Sequence, residues 1–449
     1  MNLLTKLPGV ANPSKRLNFK ERLKWTALGL ILFFLMGEVQ LYGVAEVAYS
    51  RFQQISVLLG STFGTLGTLG IGPIVTASIL LQVLVGGKIL NIDLNTREGR
   101  AEFQGMQKML AIIFCFLEGF AYVLFGAIPA KSYELIPIVG LQIAIGGLII
   151  LFLDEVIMKW GLGSGISLFI AAGVSKTVFV GLFSPFGEIP AGRVFQIFYA
   201  LSTANFSLLK AALAVIAFTI AIFAICIYAQ SIKVEIPLAF SQLRGFGRRW
   251  PLNFFYTSNI PVILASAFLI NITMMGAMLS SKGINILGEF DDSGNPISGI
   301  AYYLSAPHGM VTNMLLGTPI TFDIVVRAIT YTISLILLCI IFSLFWVETA
   351  NMGPEAVAEQ ILAIGMQIPG FRKDKRVLTK VLSKYIYPLT IMGGIAVGLL
   401  AALADLAGAL GTGTGILLTV MILHNFYERI STYYLEDMNP AIRKFFEIA

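Results

Sequence analysis

The chain has 449 residues, of which 57% are hydrophobic and only 12% are charged, and its formal net charge is +6. Its mean hydropathy of +0.82 is higher than any water-soluble globular chain needs. The composition therefore excludes a water-soluble globular protein and predicts a polytopic membrane protein.

Ten apolar runs are each long enough to cover about 30 Å of hydrocarbon, at about 20 residues per helix. They lie at residues 25–41, 73–90, 105–128, 135–156, 165–182, 208–230, 254–275, 322–347, 386–406 and 408–427. An even number of spans places both termini on the same side of the membrane. We therefore predict an all-α fold with ten transmembrane helices.

The positive charges predict the orientation of these helices. Roughly 24 of the 31 lysine and arginine residues fall on the side of the termini in the ten-span topology. Because positive charge marks the cytoplasmic side, both termini are predicted to be cytoplasmic, in a cell-membrane protein. The concentrated charge would also attract anionic lipid headgroups or a polyanionic partner.

The second span begins in an unusual way, with Gly70, Gly72 and Pro73. Proline is tolerated in the first helical turn, and the glycines let the backbone bend and pack closely before it. Non-helical backbone at membrane depth persists only where protein or a water-filled cavity covers it, so a pathway is predicted here. The preceding residues 44–68 fit either an interfacial loop or a short helix folded back into a funnel.

Two connections on the predicted cytoplasmic side, 233–249 and 351–384, are interrupted by glycine or proline and tipped with basic residues. They serve either orientation or docking to an acidic polymer. The connection 276–319, on the other side, is too polar to span the membrane and too short for a separate catalytic domain.

The sequence offers little catalytic chemistry. The three cysteines lie alone in separate spans, His308 and His424 are far apart, and no phosphate-binding loop is present. We predict no catalytic residues, no cofactor and no metal site, and therefore no enzyme.

Glu118 is the deepest acidic residue in a predicted span. It fits a buried structural carboxyl and a functional group equally well. Glu38, Asp323, Arg327 and Asp405 fall nearer the span ends, where a charge can reach water. An ion-coupled secondary transporter with broken helices would normally show more buried charges, so a passive conduit is favoured and the transporter remains the alternative.

Eight ordered segments make the chain resemble the SecY family of protein-translocase channel subunits, in its archaeal and eukaryotic form. They lie at 69–77 (LGIGPIVTA), 103–108, 163–170, 234–238, 256–263, 299–305, 345–349 and 370–372. The resemblance implies a channel that passes unfolded polypeptide across the membrane and releases transmembrane segments sideways into lipid. It also implies two pseudo-symmetric halves, residues 1–184 with spans 1–5 and residues 185–449 with spans 6–10.

The resemblance further implies a lateral gate between the second and third spans on one side and the seventh and eighth on the other. The implied partners are small SecE-type and SecG- or beta-type membrane subunits, signal sequences and nascent chains, membrane lipid, and the ribosome with its RNA. The cytoplasmic loops correspond to about 231–253 and 348–385.

Three sets of site residues follow from the resemblance. The implied pore ring consists of Ile71, Val75, Ile166, Ile170, Ile263 and Leu418. A re-entrant plug helix at about 52–65 is implied to close the pore with Phe52, Ile55, Leu58 and Phe63. The ribosome is implied to bind the loop residues Arg244, Arg248, Arg249, Arg372 and Lys373.

The spacing of the ring residues agrees with this assignment. Ile71 with Val75, and Ile166 with Ile170, are i,i+4 pairs, so each pair projects from one helix face. A narrow apolar collar resists wetting and offers ions no ligand. The residue types alone would not separate these positions from ordinary core or lipid-facing side chains.

Overall fold

The computed structural model of this chain describes residues 8–45, 61–94, 96–186, 191–240, 247–291, 294–363, 366–367 and 374–437. Within these ranges the chain is mostly helical, with fourteen α-helices, one 3-10 turn and three short strands. The helices are α1 (Phe19–Glu38), α2 (Gly72–Gly86), α3 (Arg97–Leu124), α4 (Ile136–Trp160), α5 (Gly165–Phe183), α6 (Arg193–Ser202), α7 (Phe206–Ser231), α8 (Ile260–Ser280), α9 (Gly299–Leu304), α10 (Met310–Leu315), α11 (Phe322–Thr349), α12 (Pro354–Ala363), α13 (Lys375–Ala407) and α14 (Gly413–Asp437).

Ten of these helices overlap the ten predicted spans: α1 to α5, α7, α8, α11, α13 and α14. Among the described residues, seven helices are long and apolar enough to cross a membrane, and α2 is apolar but shorter. The helices α1 and α14 fall outside that group because charged residues lower their hydropathy: Arg22 lies near the start of α1, and Arg429 lies in the second half of α14. The chain is a multi-pass membrane protein.

The irregular start of α2 agrees with the sequence. Gly70 adopts a φ of 53°, and the helix begins at Gly72 with Pro73 in its first turn. At 15 residues, α2 covers only about 22 Å. Residues 61–71, which come directly before α2, are irregular backbone and are mostly buried.

Hydrogen bonds and close packing hold this irregular segment. The Gly67 amide donates to the Met36 carbonyl at 3.1 Å, and the Leu66 amide donates to the Val39 carbonyl at 2.9 Å. A Cβ on Gly146 of α4 would lie 2.0 Å from the Leu66 carbonyl oxygen. Only glycine therefore permits the approach between α4 and this segment.

A small sheet joins the two basic connections, where the sequence predicted only loops. Strand β1 (Lys233–Phe240) pairs antiparallel with β2 (Gly247–Asn253) and with β3 (Met366–Gln367), so β1 is central. Ile236 and Leu252 form an apolar cluster with Leu382 and Ile386 of α13, and this burial stabilises the strands. We call the end of the helix bundle that carries this sheet the sheet end, and the opposite end, which carries residues 282–291 and 294–320, the loop end.

Small residues bring α11 and α13 close together. A Cβ on Gly398 would lie 2.9 Å from the Ile336 Cα, and one on Gly394 would lie 3.2 Å from the Cys339 carbonyl oxygen. Such contacts let helices associate in lipid through dispersion, where the hydrophobic effect contributes little. This pair forms a close-packed support behind α8.

Candidate pore constriction and lateral seam

Five of the six predicted ring residues line one narrow cavity at the centre of the bundle. Its apolar lining includes Ile71, Val75, Ile170, Ile263 and Leu418. The cavity has a volume of about 10 Å³, which is about the room for one water. We call these five residues the constriction.

Four helices supply the constriction. Ile71 and Val75 come from the start of α2, Ile170 from α5, Ile263 from α8 and Leu418 from α14. All are nearly buried, and Ile263 is the most exposed at 8%. The sixth predicted residue, Ile166, does not line this cavity and packs against the same core one turn before Ile170.

The cavity wall offers almost nothing polar to an ion. Ser266 is the one hydroxyl-bearing residue among its described lining residues, and its Oγ donates to the Val262 carbonyl at 2.7 Å within α8. A space this narrow, walled by branched aliphatic side chains, favours dewetting. The geometry can therefore block ions without a charged barrier.

A wider cavity lies on the loop-end side of the constriction. It has a volume of about 700 Å³ and shares the lining residues Ser266 and Ile270 with the narrow cavity. Its wall is more polar and includes Tyr302, Arg327 and Tyr331. The narrow apolar cavity therefore adjoins a larger and more polar one.

The predicted gate helices meet along a seam, with α2 and α3 on one side and α8 and α11 on the other. At mid-depth, Asn271 Nδ2 of α8 donates to Thr76 Oγ1 of α2 at 3.1 Å. Glu118 of α3 is also hydrogen-bonded to the Thr76 side chain. Three helices thus share one small polar cluster.

Toward the loop end, α3 and α8 close the seam. Tyr122 Oη lies 3.6 Å from Met274 Sδ, and Ser281 Oγ donates to the Phe125 carbonyl at 2.6 Å. Phe63 stacks on Tyr122 with ring centroids 6.1 Å apart. The seam is shut at this end.

Toward the sheet end, α2 and α11 close it. A Cβ on Gly86 would lie 2.7 Å from the Phe345 ring, so the ring packs directly on the glycine. Asn351 Nδ2 donates to the Leu94 carbonyl at 2.9 Å. Beside these contacts lies a cavity of about 860 Å³ whose lining includes Leu90, Glu348 and Tyr387.

The predicted plug falls mainly outside the described residues. Phe52, Ile55 and Leu58 all lie there. Phe63 is described, is 5% exposed, and belongs to the buried cluster around Tyr122. It is therefore packed at the loop end of the seam.

The predicted ribosome-binding residues are described only in part. Arg244, Arg372 and Lys373 lie outside the described residues. The backbone of Arg248 and Arg249 lies in β2, opposite Leu238 and Pro237 of β1. The sheet brings the two basic connections to the same end of the molecule.

The expectation that Asp405 reaches water is wrong. Its side chain is 2% exposed and accepts hydrogen bonds from Tyr331 Oη at 2.7 Å and from the Thr414 amide at 3.1 Å. The Thr414 hydroxyl also donates to it. These protein donors take the place of the water molecules that would solvate an exposed carboxylate.

Asp323 and Arg327 lie at the loop end, as expected. Asp323 accepts hydrogen bonds from the phenols of Tyr302 and Tyr303, and it raises the pKa of both tyrosines above the usual value. Arg327 Nε donates to the Ser305 carbonyl at 3.0 Å. These contacts fasten α9 to the first turns of α11.

Sequence reasoning missed Asp154, a second buried carboxylate. It is 4% exposed, and its Oδ1 accepts the Ile166 amide at 2.8 Å. The available signal was a repeated pattern: each of two spans that end near an aspartate is followed by Gly-Ser-Gly (163–165) or Gly-Thr-Gly (411–413) at the start of the next span.

Within the described residues there is no cluster of three or more histidine, cysteine or acidic side chains that could hold a metal. Cys115, Cys226 and Cys339 are buried separately and unpaired as thiols. In the described residues, the core is therefore held together by side-chain packing and by separate hydrogen bonds.

Comparison with known proteins agrees with this architecture. Residues 65–427 match the family model SecY. The chain is 43% identical to protein translocase subunit SecY of Methanothermobacter thermautotrophicus, over 99% of this chain and 97% of that one. The family match does not favour the ion-coupled transporter.

Two solved structures have the same fold over nearly the whole chain. One is described as the structure of a protein conducting channel, with a TM-score of 0.86, 42% identity and 99% of both chains covered. The other is Sec61 in the canine ribosome–channel complex from the endoplasmic reticulum, with a TM-score of 0.82, 41% identity and 99% of both chains covered. Together with the constriction and the seam, these matches place the chain in the SecY family of protein translocase subunits.

Proposed function

We propose that this chain is the central channel of a Sec-type translocase, which passes unfolded polypeptide through the constriction and releases apolar segments through the seam. The observation that carries the proposal is the arrangement of four helices around an apolar cavity of about 10 Å³, beside a seam with few polar contacts. The halves 1–184 and 185–449 would separate along this seam. The constriction would then close the channel to ions, and the seam beside it would let apolar segments leave into lipid.

The apolar walls explain how a conduit for a bulky chain can exclude ions. Isoleucine, valine and leucine side chains can conform around an extended polypeptide, because they offer packing without fixed polar partners. When the passage is empty, its narrowness favours the dry state. A plug formed by about 52–65, whose last residues belong to the packed segment 61–71, would add a second barrier.

Sideways release follows from the energetics of the substrate. A segment with ten leucine-like residues gains about 3–6 kcal/mol on the insertion scale when it enters lipid. The channel needs only to offer access to both phases. The substrate's own hydropathy then selects translocation or insertion.

The proposed orientation places the sheet end and both termini in the cytoplasm. This arrangement follows the excess of lysine and arginine in the connections at that end. SecE-type and SecG- or beta-type subunits would bind the outer helices, and a ribosome would dock at the sheet end. Energy would come from translation or another partner, since the proposed pathway includes no catalytic step.

Site-specific cross-linking tests the pathway. A photoreactive residue at position 263 or 418 should cross-link to a ribosome-bound nascent chain in proteoliposomes that contain the small partner subunits. A photoreactive residue at position 220, where Ile220 is 63% exposed on α7, serves as the lipid-facing control. Equal cross-linking at all three positions would contradict a central pathway.

A charge reversal tests ribosome docking. We expect Arg249→Glu combined with Arg372→Glu to weaken ribosome binding, because arginine suits bidentate contact with phosphate oxygens. Each lost phosphate contact should reduce the slope of log affinity against log salt by about one. The control is Lys282→Glu at the loop end. Unchanged affinity and slope in the double variant would assign these charges to orientation alone.

A further inference from the structure

The two helices α5 and α14 begin with similar hydrogen bonds, although α5 starts at the sheet end and α14 at the loop end, and the residues just before them differ in backbone conformation, with a φ of −84° at Ser164 and 71° at Thr412. Each is preceded by a glycine with positive φ, 100° at Gly163 and 71° at Gly411. A hydroxyl residue follows, and its side chain accepts the third amide of the helix. Ser164 accepts from Ser167 at 3.4 Å, and Thr412 accepts from Gly415 at 3.2 Å.

The next residue in both helices is a glycine packed against the preceding long helix. A Cβ on Gly165 would lie 2.8 Å from Asp154 Oδ1, and a Cβ on Gly413 would lie 2.3 Å from the Asp405 amide nitrogen. Any larger side chain would push the start of the helix away. The two glycines therefore fix both helix starts beside an aspartate.

Those aspartates accept the second amide of each helix. Asp154 Oδ1 accepts the Ile166 amide at 2.8 Å, and Asp405 Oδ1 accepts the Thr414 amide at 3.1 Å. Both side chains are at least 96% buried, since their exposures are 4% and 2%. A carboxylate from a neighbouring helix thus satisfies an amide that the hydroxyl cap leaves free.

In both helices the constriction residue comes five positions after the glycine: Ile170 follows Gly165, and Leu418 follows Gly413. It lies four residues, or about 6 Å, beyond the amide that the aspartate holds. Because about one helical turn separates the two positions, a displacement of the helix start should move the constriction residue as well.

We infer that Asp154 and Asp405 are paired positioning residues, one in each half, that fix the two helices carrying Ile170 and Leu418. This inference rests on the proposed role of the constriction. The favourable interaction between a carboxylate and the positive end of a helix strengthens each anchor. The two helices also meet directly, because a Cβ on Gly415 would lie 3.1 Å from Val174 of α5. Their starts are anchored from opposite ends of the bundle.

The two anchors differ in what else they hold. The Asp405 side chain additionally accepts hydrogen bonds from Tyr331 of α11 and from the Thr414 hydroxyl. His308 Nδ1 lies 3.9 Å from Asp405 Oδ1 at the loop end. Asp154 holds the two amides at the start of α5. Loss of Asp405 should therefore disturb more of the structure than loss of Asp154.

The test measures resting ion conductance of the reconstituted channel, with its small subunits, in planar bilayers. We expect Asp154→Ala and Asp405→Ala to raise the conductance to a level between the parent channel and Leu418→Ser. Asp154→Asn and Asp405→Asn keep an acceptor oxygen and should restore conductance toward the parent. The matched control is Thr390→Val, which removes a fully buried hydroxyl of α13 bonded within its own helix.

Several outcomes separate the inference from the proposed function. Leakage in Leu418→Ser together with parent-like conductance in both alanine variants would overturn the positioning role and leave the constriction intact. Equal leakage in Thr390→Val would reduce the effect to general destabilisation and also overturn it. Parent-like conductance in Leu418→Ser would instead overturn the constriction itself.

Hydrogen exchange keeps the inference testable if the alanine variants do not assemble. In the asparagine variants the negative charge is lost, so we expect faster exchange at the amides of Ile166 and Thr414 than in the parent. The amides of Ser167 and Gly415, which the hydroxyl residues cap, are the internal reference. Unchanged exchange at Ile166 and Thr414 would overturn the inference.

Discussion

The constriction and the seam meet at α2 and α8, yet different interactions hold them. The constriction is closed by branched aliphatic side chains that pack around about 10 Å³ of space. The seam is closed by separate contacts at three depths: Asn351 with Leu94, Asn271 with Thr76, and Ser281 with Phe125. Closure of the constriction depends on how completely apolar side chains fill the space and exclude water. Closure of the seam includes a few directional hydrogen bonds.

This difference separates two properties that a protein channel must combine. Sealing is collective, so it tolerates changes of shape but not the introduction of a polar group that attracts water. Opening the seam must break a few hydrogen bonds, each contributing about 0.6 kcal/mol inside a membrane, and must also separate packed side chains such as Phe345 from Gly86. The polar contribution to closing the seam is therefore small, and side-chain packing supplies the rest.

The largest effect is expected from polar groups in the constriction. Ile71→Asn combined with Ile170→Asn should raise resting ion conductance, because amide groups stabilise water in the passage. Planar-bilayer recordings measure this directly. Ile71→Leu combined with Ile170→Leu keeps the wall apolar and is the control. Recordings of the asparagine variant that match the parent would remove the constriction's role in sealing.

A covalent tie across the seam should abolish insertion. Cysteines at positions 76 and 271, joined by a short bifunctional reagent, should block release of a signal segment, because α2 and α8 can no longer separate. Thr76 and Asn271 are already in side-chain contact at 3.1 Å. Protease protection of a nascent membrane protein provides the measurement.

The control for that tie lies within one side of the seam. Gln107 Nε2 of α3 donates to Ser78 Oγ of α2 at 2.6 Å, so cysteines at positions 78 and 107 join helices that move together. This pair should cross-link equally well and leave insertion intact. Full insertion activity in the cross-linked 76–271 protein would exclude opening there.

The sequence predicted the helices well because apolar length is a local signal. It also predicted the irregular start of α2, since Gly70, Gly72 and Pro73 dictate backbone conformation by themselves. The sheet at the basic connections was not foreseen. Its strands are stabilised by contact with α13, far along the chain, so no local pattern could report them.

The sites show the same division. Five of the predicted ring residues line one cavity. The family resemblance singled them out, because isoleucine and valine in an apolar span carry no distinguishing chemistry. The exposure of Asp405 was predicted wrongly. Its position close to the span end suggested contact with water, whereas Tyr331 and Thr414 donate hydrogen bonds to it in the core. Asp154 was missed because its partner, the Ile166 amide, is supplied by a different helix.

The smallest predicted effect tests whether the seam depends on single bonds. Asn271→Leu removes the hydrogen bond to Thr76 and replaces it with an apolar contact, while the Thr76 hydroxyl keeps its bond to the Gly72 carbonyl. Loss of about 0.6 kcal/mol should shift the balance toward the open seam by about threefold. Insertion of a weakly apolar segment should rise accordingly, with resting conductance unchanged because Ile71, Ile170 and Leu418 are untouched.

Asn271→Gln, which can restore the bond, is the control. A conductance increase in Asn271→Leu would show that seam and constriction are one coupled unit, and no change in insertion would show that dispersion contacts, not this bond, hold the seam closed.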